Sequence, residues 1–219
     1  MPLPKQNEVK GYNGGILPWT LREQPAGSAV LAVVFPGFGY NPDLPVLYYP
    51  ALQLFSSGAD VARLEKRYNE VHGFMDLPDG EQDRWLAADA GAVLSASLGR
   101  RKYQRVILVG KSLGTISAAL CLQNRPDLPR VSCAWLTPVL SHPLVWRELA
   151  EGAVPGIVAI GTRDHFFDPH KINQLKTRPN LNCLVFPEAD HSLEKDGDVT
   201  ASIQYIQELT AAVARLGSS

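Results

Sequence analysis

The sequence predicts an α/β fold, a single domain whose mostly parallel β-sheet carries helices on both faces. Three observations lead there. Apolar runs of strand length alternate with segments of helical period over nearly the whole chain, as βαβ units require. The runs are continuous rather than alternating, as in strands buried on both faces. The 219 residues, 45% of them apolar, suit one domain with material for a core.

Residues 1–26 are rich in Gly, Pro and polar residues, with breaks at Gly14-Gly15 and Pro18. Only a short strand or hairpin is expected in this poorly defined N-terminal segment. Residues 29–35 form the first strong strand, closed by Pro36-Gly37. Residues 44–56 have near-helical spacing, but Pro45 and Pro50 predict short helical pieces only. Residues 60–68 read as a strand with a poor pattern. Residues 79–98 predict a helix with Trp85, Leu86, Ala90, Val93, Leu94 and Leu98 on one face. Strands follow at 105–109, 130–136, 156–160 and 181–186, with helices at 112–123 and 143–150. Residues 198–216 predict an amphipathic helix that turns Ile203, Ile206, Leu209, Val213 and Leu216 inward.

With 21 basic and 22 acidic residues the net charge is −1, which argues against a nucleic-acid binder and against a polybasic membrane-surface protein. Three cysteines make no disulfide framework. Cys121 and Cys133 sit in apolar runs and read as buried free thiols of a reducing compartment. Residues 1–15 hold no apolar signal core, and no stretch approaches the roughly 20 apolar residues of a membrane span. A soluble cytoplasmic protein is expected, with no nucleic-acid or membrane partner.

Ligands of such sheets bind at the carboxyl ends of the strands. After the strand at 105–109 comes Gly110-Lys111-Ser112-Leu113-Gly114, a G-x-S-x-G pattern that opens a helix. A serine nucleophile must project from a sharp strand-to-helix turn, and small residues two positions either side let strand and helix cross. Three fixed positions recur by chance, so the strand before and the helix after carry the assignment of Ser112. Gly-Lys-Ser also ends the phosphate-loop pattern. That pattern requires glycine at position 105, which is Arg105, within a strand.

A serine needs a base and an orienting acid. Of His72, His142, His165, His170 and His191, only His191 follows the strand at 181–186 and precedes the last helix. Asp164 follows the strand at 156–160 in Gly161-Thr162-Arg163-Asp164. Asp168 competes with Asp164 but reads as a helix N-cap before Pro169, and Asp190 reads as a turn residue. His165 and His170 read as surface residues or supports of the site. An oxyanion hole needs two N–H donors: Leu113, after the nucleophile, and Phe38, in the Pro36-Gly37-Phe38-Gly39 turn, are the candidates. An ordinary glycine turn is the alternative for the latter.

These four segments, with Ala189-Asp190-His191 as the fourth, resemble the α/β-hydrolase superfamily in the order Ser, Asp, His. The match is similar to its small lidless members, of the dienelactone-hydrolase-like and short bacterial esterase type, and extends from about Ser28 onward. The usual His-Gly of the oxyanion loop is Pro36-Gly37 here. Dienelactone hydrolases proper carry a cysteine nucleophile, so that activity is not expected.

The resemblance implies hydrolysis of an ester or thioester through an acyl-enzyme, with Ser112 attacking, His191 as base and Asp164 holding the imidazole. That chemistry needs no metal or cofactor. Only 19 residues, 137–155, fill the place where cap domains usually enter, so the site should be shallow and the substrate small or exposed. Tyr40, Trp135, Leu140, Trp146 and Phe166 are candidate walls of an acyl pocket, with core filling as the alternative for the tryptophans. Lys111 and Arg163 read as solvated turn residues more than as a site for an anionic substrate. Two other readings stand beside these: a catalytically silent hydrolase-fold protein that binds a ligand or partner, and cleavage of amides. The oligomeric state is open.

Overall fold

In the computed structural model, which describes residues 3–218, the predicted apolar runs are strands of one eight-stranded sheet. Residues 1, 2 and 219 lie outside the described part. Strands β3 (Val30–Phe35), β4 (Asp60–Leu64), β5 (Arg105–Lys111), β6 (Val131–Leu136), β7 (Gly156–Gly161) and β8 (Leu181–Phe186) run parallel. The N-terminal segment is a full antiparallel hairpin of β1 (Lys5–Lys10) and β2 (Ile16–Arg22), in which β2 pairs antiparallel with β4. Its hold on the sheet comes from Leu17, Trp19 and Leu21, all buried.

The sheet order is β1-β2-β4-β3-β5-β6-β7-β8. Connections from β3 run one way to β4 and from β4 cross back to β5, so the order reverses between β3 and β5. A crevice at the carboxyl ends of the strands opens at such a switch point. Period-two alternation divides the core in two. Leu31, Val33 and Phe35 of β3, Val106 and Leu108 of β5 and Cys133 and Trp135 of β6 face α2 (Asp79–Leu98), α3 (Leu113–Asn124), α4 (Pro143–Ala150) and α5 (Pro169–Lys176). Ala32 and Val34, Ile107 and Val109, and Ala134 and Leu136 face α1 (Pro45–Ser56) and α6 (Val199–Ser218).

Helix α2 matches its expected span, with Leu86, Ala90, Val93 and Leu94 buried and Trp85 and Leu98 packed at the edge of the core. Asp168 caps α5, accepting from the N–H groups of His170 and Lys171 at 2.9 and 3.1 Å, with Pro169 in the first turn. Three expectations are corrected. Helix α1 is continuous, not short pieces: Pro45 suits its first turn, and burial of Val46, Leu47, Ala51, Leu54 and Phe55 outweighs the roughly 3 kcal/mol cost of an interior proline at Pro50. Strand β4 stops at Leu64, and Tyr68 lies in a 3-10 turn (Tyr68–Glu70) that buries its ring. On α6, Leu209 and Val213 are buried, but Ile203 is 63% exposed. The first turns of α6 stand off from α1, and an open groove separates Tyr49 and Pro45 from Val199 and Ile203.

Candidate active site

Strand β5 hands over to α3 at a single residue, Ser112, whose φ of 53° and ψ of −118° are unusual for a residue with a side chain. Such backbone costs of order 1–3 kcal/mol and persists only where its surroundings fix it. They do so here. The Ser112 N–H donates to the Leu136 carbonyl at 2.9 Å. The Ser112 carbonyl accepts from the Thr115 N–H at 2.8 Å and the Thr115 hydroxyl at 2.6 Å. The flanking glycines are required by contact. A Cβ on Gly110 would collide with the Gly114 backbone, and one on Gly114 with the Phe35 and Pro36 carbonyls.

The loops after β7 and β8 bring Asp164 and His191 to this turn. Ser112 Oγ lies 2.8 Å from His191 Nε2, and His191 Nδ1 lies 2.8 Å from Asp164 Oδ2. The other Asp164 oxygen accepts the Phe166 N–H at 2.9 Å, and the carboxylate is buried. An acceptor-only carboxylate on Nδ1 fixes the tautomer with the proton on Nδ1, which leaves Nε2 free to accept from Ser112. Burial lowers the His191 pKa below the ordinary histidine value, and the Asp164 hydrogen bond opposes this; the Lys111 charge lowers it further. Asp190 is a turn residue as expected, its carboxylate accepting the N–H groups of Ser192 at 2.7 Å and Glu194 at 3.0 Å. His142 pairs with Asp83, while His72 and His170 are exposed.

The loop after β3 lies over the N-terminus of α3. Neither the Phe38 N–H nor the Leu113 N–H takes a partner among the described residues. The Phe38 carbonyl accepts the Asn69 N–H at 3.0 Å, and its ring stacks on Phe74 at 6.3 Å between centroids.

The expected pocket walls divide. Phe166 is half-buried with its ring 5.5 Å from that of His191, and Tyr40 is half-buried beside Lys111. Trp146 is half-buried but holds the Lys171 ammonium 4.8 Å above its ring. Trp135 and Leu140 are not walls. Trp135 alternates onto the core face of β6 at 2% exposure, and Leu140 is 1% exposed in the same core.

Of two further neighbours of the site, Lys111 departs from what the sequence suggests and His165 does not. Lys111, expected in solvent, is 1% exposed and donates to the His191 carbonyl at 3.0 Å. Period two continues Ile107 and Val109 to Lys111, so the signal was present once the strand is extended past 109. His165, next to Asp164, is exposed and packs its ring on His191 at 4.4 Å. Asp164, His165 and His191 each offer a metal-ligand atom within 4.8 Å of one another, and His191 Nδ1 is already hydrogen-bonded to Asp164 Oδ2.

The fold defines a class, and the comparisons agree on it. Residues 29–216 match the family described as alpha/beta hydrolase domain, and the chain belongs to that family. No curated protein matches the sequence. Solved structures share the fold at low identity. A serine hydrolase homologue from Coxiella burnetii has 17% identity and a TM-score of 0.70, covering 97% of this chain and 96% of its own. A serine hydrolase without a lid from Xanthomonas campestris has 19% identity and a TM-score of 0.65, covering 99% and 94%. An esterase from Pyrococcus furiosus has 16% identity and a TM-score of 0.69, covering 99% and 91%. No helix of the described residues is long and apolar enough to cross a membrane.

Proposed function

We propose that this hydrolase is a serine esterase or thioesterase that cleaves a small or exposed acyl substrate through an acyl-enzyme. The observation that carries the proposal is the unbroken hydrogen-bond chain from Ser112 through His191 to Asp164. In the proposed reaction Ser112 Oγ attacks the carbonyl carbon and His191 Nε2 takes the hydroxyl proton. Asp164 holds the imidazole and stabilises the imidazolium, without itself being protonated. The unpartnered N–H groups of Phe38 and Leu113 receive the oxyanion, worth about 3–4 kcal/mol per donor. His191 returns the proton to the leaving alcohol or thiol. Water then attacks the acyl-Ser112, with His191 again as base, and releases the acid.

The short segment between β6 and β7, with α4 as its one helix, favours an open site and a substrate that needs no enclosing cap. Phe166 and Tyr40 are the proposed walls beside the acyl group. We place the protein in the cytoplasm, on the three free cysteines. A fluorophosphonate probe tests the chemistry: labelling of the wild-type protein, lost in Ser112→Ala, is expected. Failure of the folded protein to label overturns the esterase reading in favour of a silent binding protein. Ester and thioester panels of graded acyl length then define the substrate.

A further inference from the structure

Lys111 is an expensive residue to place where it lies. Its charge is buried at the end of β5, and a hydrophobic side chain of equal length would fill the space at less cost. What the ammonium gains is specific. It donates to the His191 carbonyl at 3.0 Å and sits 4.5 Å from the Tyr40 ring centroid, where the π face attracts a cation. Its stem passes the loop after β3: a Cβ on Gly37 would lie 3.3 Å from Lys111 Cδ and 3.0 Å from Tyr40 Cβ. The turn itself is closed by Gly37 N–H donating to the Tyr40 carbonyl at 3.0 Å.

One side chain therefore touches two parts of the proposed machinery, the loop that carries the Phe38 N–H and the backbone of the proposed base. We infer that Lys111 is a positioning residue, a charged brace that fixes His191 by its carbonyl and ties the 36–40 loop to it. The inference rests on the esterase reading above. The brace acts only through His191 and the loop, because a side chain this buried cannot reach substrate.

The electrostatic surroundings fit that role. Burial lowers the Lys111 pKa to about 8, and the Asp164 and Asp190 carboxylates oppose the shift. The ammonium remains charged at neutral pH. The groups facing His191 are Asp164, Lys111 and His165, and those facing Tyr40 are Lys111, Asp190 and Glu194. Of the charges on His191, the Asp164 carboxylate favours the imidazolium and Lys111 disfavours it. Loss of the Lys111 charge thus raises the pH at which His191 takes a proton.

The test is the pH profile of fluorophosphonate labelling for wild type, Lys111→Met and Lys111→Gln, with thermal melting alongside. Lys111→Met is expected to label about tenfold more slowly at pH 7.5, because the base is no longer held in register. Its acid limb moves to higher pH, and its melting temperature is equal to or above that of wild type. Lys111→Gln, which keeps an N–H donor without the charge, recovers part of the rate but keeps the raised limb. A variant that labels slowly with an unmoved limb and a lowered melting temperature marks Lys111 as structural only and overturns the brace. So does Lys111→Met labelling at the wild-type rate and limb. Should Lys111→Met not fold, the limb of Lys111→Gln decides alone, and a wild-type limb there overturns the brace. Wild-type protein that does not label at all overturns the esterase reading, and the brace with it.

Discussion

Asp164 Oδ2 lies 2.8 Å from His191 Nδ1, and the only ring nitrogen left to face Ser112 is Nε2. Exchange of this carboxylate for an amide reverses that logic. An amide NH₂ turned to Nδ1 forces the proton to Nε2 and removes the acceptor that Ser112 needs. Asp164→Asn is expected to lower kcat on p-nitrophenyl acetate by about three to four orders of magnitude while the protein stays folded. A loss below tenfold would count against Asp164 as the orienting acid.

The pH profile follows from the direction of the His191 shift. Its folded pKa lies below the ordinary value of about 6.5, so the neutral base persists to lower pH than in a free histidine. Wild-type labelling is expected to fall through a single acid limb centred below pH 6.5. A limb centred above 6.5 contradicts the lowered pKa.

Lys111 makes a prediction about stability that is separate from rate. Its folded pKa of about 8 lies below its unfolded value of 10.5. Between those values the unfolded chain holds a proton that the folded protein has released, so its contribution to stability rises with pH. The melting-temperature advantage of Lys111→Met over wild type is therefore largest below pH 8 and shrinks towards pH 10.5. Parallel curves for the two proteins across that range would refute the burial of a charged lysine.

Gly114 admits no side chain, because its Cβ would meet backbone carbonyls that cannot swing aside. Gly114→Ala is expected to cost about 3 kcal/mol or more, a fall in melting temperature of roughly 6–12 °C at this chain length. Calorimetry reads this directly, and a fall under 2 °C would show that the turn can open.

Much of this was legible in order. Ser112 could be read because three local signals coincided: an apolar strand, two small residues at fixed offsets and a helical pattern behind. His191 and Asp164 could be read because each follows a strand and the sheet direction places both ends together. Lys111 is hidden when the strand is ended at Val109, although the alternation Ile107, Val109, Lys111 points it inward. Trp135 likewise alternates with Cys133 onto a core face. Other features are not local. Ile203 has the spacing of a core residue, but α6 extends beyond the face that α1 can cover. Pro50 is a helix breaker by propensity and a helix residue by packing. The 3-10 turns that brace Phe38 through Asn69 and Phe74 carry no periodicity at all.

The Ser112–His191 contact spans 79 positions of sequence, and it closes only when β5, β7 and β8 have found their registers. Pairings so distant in sequence are among the late and cooperative gains of folding. The reactivity of one hydroxyl is thus a reporter on the whole domain. In urea, the loss of probe labelling should coincide with the loss of far-ultraviolet circular dichroism. A labelling transition at lower urea would mark the β8–α6 loop as a unit that opens before the sheet.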